Sequence, residues 1–233
     1  MASEENFDLS ALSYDDFLLY FLTHPANDEL WQLDDKGQEY SLAEETKPEI
    51  IVRYLTRFCD GFARTAVTIT PETLDHAIKG MLNPACYVLQ ASLWDDAVPL
   101  ALRLECIRSM YSVYANFVAV STARPVEGAF YMWWDFVCSD FWSSQTRDKK
   151  IASEDYRLLS QSDRELADCM FETLKKILAL DDDACRGCAL HGLGHLKHPG
   201  VHAIVQSFID EHRATLTPDG LKWLESCRDG TVM

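Results

Sequence analysis

The sequence lacks any apolar run of the length, about 20 residues, that a helix needs to cross a bilayer. Its first ten residues, MASEENFDLS, are acidic and contain no apolar h-region, so we expect no secretory signal and no membrane association. Of the 233 residues, 48% are hydrophobic and 25% charged, which is typical of a chain that buries a core. We therefore expect a soluble, cytoplasmic globular protein.

Positive charge is also scarce. The chain has 21 lysines and arginines against 37 aspartates and glutamates, a formal net charge of -16. Residues 1–49 alone contain thirteen acids and only two bases. Such a chain repels phosphate backbones, so we expect no direct binding of nucleic acid. The acidity suits either a basic protein partner or plain solubility.

The common catalytic motifs are absent. The sequence has no GxGxxG, no P-loop GxxxxGK[ST], no GxSxG nucleophile elbow and no HExxH. Carboxylates are plentiful, but their spacing singles out no catalytic pair. Nothing in the sequence requires an enzyme.

Strand patterns are rare, and helix signals dominate. N-cap spacings and N-cap–proline pairs predict helix starts at Ser13/Asp16, Ser41/Glu44, Thr70-Pro71, Ser162/Glu165 and Thr217-Pro218. Two further helices are predicted over 183–196 and 199–212. The one alternating stretch surrounds Lys36-Gly37 and predicts a small β-hairpin near residues 30–42. The chain is thus predicted to be all-α.

Two segments of the chain resemble each other. The series Arg103, Cys106, Ile107, Met110, Val113 recurs as Arg186, Ala189, Leu190, Leu193, Leu196, at a constant offset of 83 residues. Each copy follows an acidic turn, and the offset fits two helical-pair units of about 40 residues. We therefore expect an acidic helical segment, residues 1–70, packed on a helical-repeat region, residues 71–233.

The clearer copy, residues 181–212, resembles a HEAT repeat in its acidic turn, its arginine before Ala-Leu, its Gly-Leu-Gly and its second helix VHAIVQSFID. The resemblance implies an irregular α-solenoid of HEAT-like helical hairpins, whose apolar faces are covered by neighbouring hairpins. The strings MWWD and ALHGLGH together also resemble a group of uncharacterised bacterial proteins. That second resemblance implies no activity.

Cysteines and histidines concentrate in the same segment. Six of the eight cysteines occur singly in apolar or helical stretches and are predicted to be reduced core thiols; Cys185 and Cys188 form a CxxC pair. On a helix, Cys188, His191 and His195 fall within a sector of about 60°. Thiolate and imidazole are the usual zinc donors, so these three residues form a candidate metal site with His198 or His202 as fourth ligand. The alternative is that Gly187, Gly192 and Gly194 admit a neighbouring helix and the histidines only pack against it.

An aromatic run lies upstream of this cluster: Phe130, Tyr131, Trp133, Trp134, Phe136, Phe141 and Trp142. Aromatic stripes at helical spacing usually enter the core. The other interpretation is a partner-binding surface in which Trp133 and Trp134 lie beside Asp135 and Asp140.

These observations favour a non-catalytic protein-interaction module, and a concrete version is a bacterial immunity or antitoxin protein that covers a basic toxin. Its partner-binding residues would be the acids Asp34, Asp35, Glu44 and Glu45 together with the aromatic–acidic set Trp133, Trp134, Asp135 and Asp140. A variant of the same hypothesis is mimicry of nucleic acid by the acidic segment. The alternative function is a zinc-dependent enzyme built on Cys188, His191 and His195.

Overall fold

The computed structural model describes residues 8–23, 46–82, 90–120, 127–147, 149 and 151–232. This part of the chain forms α-helices joined by short turns and contains no strand, which confirms the all-α class. The helices are α1 Tyr14–Thr23, α2 Pro48–Ala66, α3 Pro71–Leu82, α4 Gln90–Trp94, α5 Leu100–Asn116, α6 Glu127–Arg147, α7 Gln161–Leu178, α8 Asp183–Leu196, α9 Val201–His212 and α10 Pro218–Arg228. The hairpin predicted near residues 30–42 lies outside the described residues.

Local capping chemistry determines several helix starts. Thr217 accepts a hydrogen bond from the Gly220 N–H at 3.1 Å, with Pro218 as the first residue of α10. The predicted start at Ser162 is wrong by two residues, because Ser160 caps α7 instead. Ser160 has an extended backbone, and its Oγ accepts the Asp163 N–H at 3.2 Å. The Ser41/Glu44 start lies outside the described residues, and α2 begins with Pro48.

Helix α8 occupies a central place in the packing. It lies against α6, α7 and α10, while α5 packs on α2 and α7. The hairpin predicted from residues 181–212 would pair α8 with α9, yet α9 packs more extensively on α10 than on α8. The two similar segments, α5 and α8, both contact α7, but α5 also packs on α2 whereas α8 also packs on α6 and α10.

The aromatic run belongs to the core. Helix α6 contacts α3, α4 and α8, so more than one of its faces is covered. Trp133 is 2% exposed and Trp134 0%. The buried indole of Trp142 donates to the Leu196 carbonyl at 3.0 Å, which ties α6 to the end of α8. Trp133 and Trp134 are therefore not on the exposed surface that the partner-binding prediction assigned to them, because the neighbouring helices cover both rings.

The helices on either side of residue 70 share one core. Helix α1 contacts α3, and α2 contacts α4 and α5, so the described part of residues 1–70 packs directly on residues 71–233. None of the helices in the described ranges is both long enough and apolar enough to span a membrane.

Candidate functional site

Two histidines of α8 and one aspartate of α6 meet where these helices pack. Nε2 of His195 lies 3.0 Å from Nε2 of His191. Nδ1 of His195 lies 3.2 Å from Oδ1 of Asp135. His191 is buried, whereas the side chains of His195 and Asp135 are each 19% exposed. The cluster therefore lies at the edge of the core, with one side open to solvent.

Helical periodicity brings these groups together. His191 and His195 are one turn apart on α8, so their rings lie one above the other on the same face. On α6, Tyr131, Asp135 and Ser139 follow one another at the same four-residue spacing. The Tyr131 carbonyl oxygen lies 3.3 Å from Nδ1 of His191, and the Ser139 hydroxyl donates to Oδ1 of Asp135 at 2.8 Å. One stripe of α6 thus provides oxygen atoms to the histidine face of α8.

The aromatic surroundings hold His191 in place. The Tyr131 ring stacks on the His191 imidazole with a centroid distance of 4.1 Å and an interplanar angle of 19°. Burial raises the pKa of Tyr131, and the side chain of Trp223 on α10 opposes that shift. Burial lowers the pKa of His191, although its hydrogen bond to the Tyr131 carbonyl opposes that shift. The neutral imidazole is therefore the favoured form at neutral pH.

The remaining predicted metal ligands lie elsewhere. Cys188 is buried, and burial raises the pKa of its thiol to about 12. Its sulfur is not grouped with the ring nitrogens of His191 and His195. His198 follows the end of α8, stacks on Phe171 and has Nε2 3.0 Å from Asp168 Oδ1. In the described part of the chain, the residues grouped closely enough to hold a metal ion are Asp135, His191 and His195.

The structure thus brings together two of the four residues of the predicted ligand set and adds Asp135. That aspartate was predicted as a partner-binding residue, together with Trp133, Trp134 and Asp140. Of that group, the tryptophans are buried and Asp140 is half-buried. The acids Asp34, Asp35, Glu44 and Glu45 lie outside the described residues. A sequence signal for Asp135 existed in its four-residue spacing from Tyr131, but nothing local identified α6 as the helix that faces α8.

All the cysteines in the described ranges are free and buried: Cys59, Cys106, Cys138, Cys169, Cys185, Cys188 and Cys227. Burial raises the pKa of Cys106 and of Cys227 to about 12. Burial also raises the pKa of Cys185, the other half of the CxxC pair. These thiols fill core space and are held in the protonated, unreactive form.

Comparison of the chain with protein-family models, with curated proteins and with solved structures gave no match. The case for a function therefore depends on the residues and their geometry.

The turn between α8 and α9 makes stability depend on pH. The Gly200 N–H donates to Nδ1 of His198 at 3.0 Å, so this nitrogen carries no hydrogen, and Nε2 donates to Asp168. Burial lowers the pKa of His198, against the opposing effect of Asp168. The unfolded chain, whose histidines have a pKa of about 6.5, then binds the proton more readily than the folded chain.

We expect the free energy of unfolding to fall as the pH falls below about 6.5, above the range in which carboxylates titrate. Replacement His198→Asn keeps one donor and one acceptor but cannot titrate, so it should make this dependence less steep. Urea unfolding at several pH values between 7 and 5 measures the slope. The matched control is the same substitution at His202, an exposed position of α9. An identical slope for wild type and His198→Asn would contradict the prediction.

Proposed function

We propose that this protein is a non-catalytic interaction module that binds a basic protein partner through an acidic surface. The observation that carries the proposal is the uneven charge of the chain. Residues 1–49 contain thirteen acids and two bases, within a total net charge of -16. An acidic surface attracts a basic partner over distance and speeds their association, mainly at low salt. A concrete form is an immunity or antitoxin protein that covers a basic toxin, such as a nuclease.

The packing of the helices supports an extended binding surface. Helices α2, α5 and α7 pack side by side in that order, and α6, α8 and α10 do the same. We propose that these two rows form an irregular solenoid with HEAT-like character. Solenoids present long curved faces that suit protein binding. The proposal does not draw on Trp133 and Trp134, since both are buried.

If the acidic segment binds the partner, removing its charges should weaken binding more than removing charges elsewhere in the chain. Neutralising the acidic segment with the fourfold variant Asp34→Asn, Asp35→Asn, Glu44→Gln, Glu45→Gln should weaken binding of the basic partner by at least tenfold at low salt and reduce its salt dependence. The partner is identified by capture on the intact protein from a low-salt lysate of the native host. The affinity of that captured protein for each variant is then measured at increasing ionic strength.

The matched control neutralises four acids in the last two helices instead: Asp210, Glu211, Asp219 and Glu225. It changes the net charge by the same amount, so it separates a local acidic surface from general electrostatic attraction. Recovery of no basic protein, or equal loss of binding in both fourfold variants, would reject the proposal.

A second candidate function is favoured by the cluster of Asp135, His191 and His195. A zinc-dependent enzyme would use an ion there to activate a bound water. The partial exposure of His195 and Asp135 would give that water access to a substrate. This candidate depends on metal binding at the cluster.

A further inference from the structure

We propose that Nε2 of His191 and Nε2 of His195 bind one divalent transition-metal ion, with zinc as the best-suited ion, and that Asp135 is the positioning residue for His195. The proposal goes beyond partner binding and does not depend on it. It replaces the ligand set predicted from sequence, because the donor atoms of Cys188 and His198 are not grouped with those of His191 and His195.

The hydrogen bond made by His191 determines which of its two ring nitrogens carries the hydrogen. A carbonyl oxygen only accepts, so the 3.3 Å contact with the Tyr131 carbonyl places the hydrogen of His191 on Nδ1. The other nitrogen, Nε2, then presents a lone pair. Stacking of Tyr131 on the ring keeps that lone pair directed at His195. The centroids of the two imidazole rings are 4.7 Å apart.

The position of the hydrogen on His195 follows from its hydrogen bond in the same way. Its Nδ1 lies 3.2 Å from the Asp135 carboxylate, which accepts a hydrogen from that nitrogen. Its Nε2 then also presents a lone pair, at 3.0 Å from the lone pair of His191. Two facing lone pairs repel unless a positive centre lies between them. The geometry therefore calls for either a shared hydrogen or a metal ion.

The geometry suits a metal for two reasons. Two nitrogens bound to one zinc at about 2.0–2.1 Å and the tetrahedral angle are about 3.3 Å apart, close to the observed 3.0 Å. Metal-binding histidines also usually donate their other N–H to a carbonyl or a carboxylate, which fixes the ring. Here Tyr131 provides the carbonyl and Asp135 the carboxylate. Ser139 in turn donates to Asp135, which adds an outer layer of support.

The chemistry of the donors indicates the class of ion. Imidazole nitrogen suits zinc, copper and nickel, whereas calcium and magnesium require sets of oxygen ligands. With two protein ligands, the other coordination positions are left for water or an external donor atom. The part-exposed side of the cluster, at His195 and Asp135, is where such a donor reaches the ion.

The test uses the purified full-length chain and zinc alone, with bound metal measured by elemental analysis after dialysis and affinity by calorimetry. We expect one zinc per chain. His195→Ala should weaken zinc binding at least 100-fold. Asp135→Asn should weaken it 10- to 100-fold, because the contact that orients the His195 ring becomes weaker. His202, an exposed histidine of α9, is not among the grouped donors, so His202→Ala should bind as wild type does. Circular dichroism checks that each variant is folded.

Cobalt substitution distinguishes this site from the cysteines. Cobalt bound by imidazole and water should lack the intense thiolate-to-metal charge-transfer band. Three outcomes would overturn the proposal: folded wild type that binds no zinc, unchanged affinity in His195→Ala, or a thiolate band with cobalt. A chain that binds zinc here but captures no basic protein would support this inference and reject the proposed partner, so the two results are separable.

Discussion

Replacement of Gly192 by alanine is expected to lower the free energy of unfolding by about 2–3 kcal/mol. Gly192 lies where α8 crosses α6 and α7. A Cβ at this position would stand 2.4 Å from Cβ of Trp134 and 3.0 Å from Cδ2 of Leu174. Neither atom can move freely, because one belongs to a buried indole side chain and the other to a buried leucine. The helices must separate to admit the extra methyl group, and buried apolar contacts are lost.

The same helix provides the control. A Cβ on Gly187 would meet nothing within 4 Å. Gly187→Ala is therefore expected to raise the free energy of unfolding by about 0.4–1 kcal/mol, since alanine favours the helix and restricts the unfolded chain. Chemical unfolding of both variants measures the difference. Two alanine variants that shift stability in the same direction would show that close helix approach at Gly192 is not the cause.

A separation of α6 from α8 in Gly192→Ala should also affect the histidine cluster. Asp135 reaches His195 across this helix interface, and Gly192 lies between the two histidines in sequence. If the cluster binds zinc as proposed, Gly192→Ala should weaken that binding as well, because the contact between Asp135 and His195 lengthens when the helices move apart.

Helix starts that depend on local chemistry were predictable. At Thr70 and Thr217, a hydroxyl accepts a nearby N–H and a proline follows, and both α3 and α10 begin there. At α7 the predicted cap was Ser162, three residues before Glu165, whereas the structure has Ser160, three residues before Asp163. Ser160 is chosen over Ser162 because its backbone is extended and its side chain also hydrogen-bonds the carboxylate of Asp163. A spacing rule alone does not rank two such candidates.

Part of the candidate site could also be predicted, because that part depends on local sequence. The pairing of His191 with His195 follows from one turn of helix, which the sequence encodes locally. The inclusion of His198 failed because α8 ends at Leu196, where Lys197 takes a left-handed conformation with φ 53°. The chain turns away there, so helical projection no longer places the next side chains. Asp135 comes from another helix, and its position depends on how α6 packs on α8.

The buried tryptophans illustrate the same limit. The sequence of α6 is aromatic on more than one face, and a surface helix usually has only one apolar stripe. Both the core and the partner-surface interpretations fitted that pattern. Packing decides between them, because α3 and α4 contact α6 in addition to α8.

The second large effect is expected at an ion pair whose carboxylate is buried, where Lys149→Met should lower the free energy of unfolding by about 3 kcal/mol. Nζ of Lys149 lies 2.6 Å from Oδ1 of Asp163, whose residue is only 1% exposed, and 2.9 Å from Oδ1 of Asp96. Methionine preserves most of the side-chain volume but leaves the Asp163 carboxylate buried without a cation. The Ser160 hydroxyl and the Gln145 amide still donate to it, yet neither neutralises its charge.

A double-mutant cycle separates the ion pair from general loss of packing. If the cost of Lys149→Met comes from the uncompensated carboxylate, then Asp163→Asn should reduce that cost, and the double variant should be less destabilised than the sum of the two single variants. Arg53→Met is the control, since it removes an exposed pair with Glu49 and should change stability by less than about 1 kcal/mol. Strict additivity in the cycle would mean that the cost of Lys149→Met does not come from its pairing with Asp163. The network links the start of α7 to the turn before α5 and to the end of α6, so uncoupling it should loosen these three elements together.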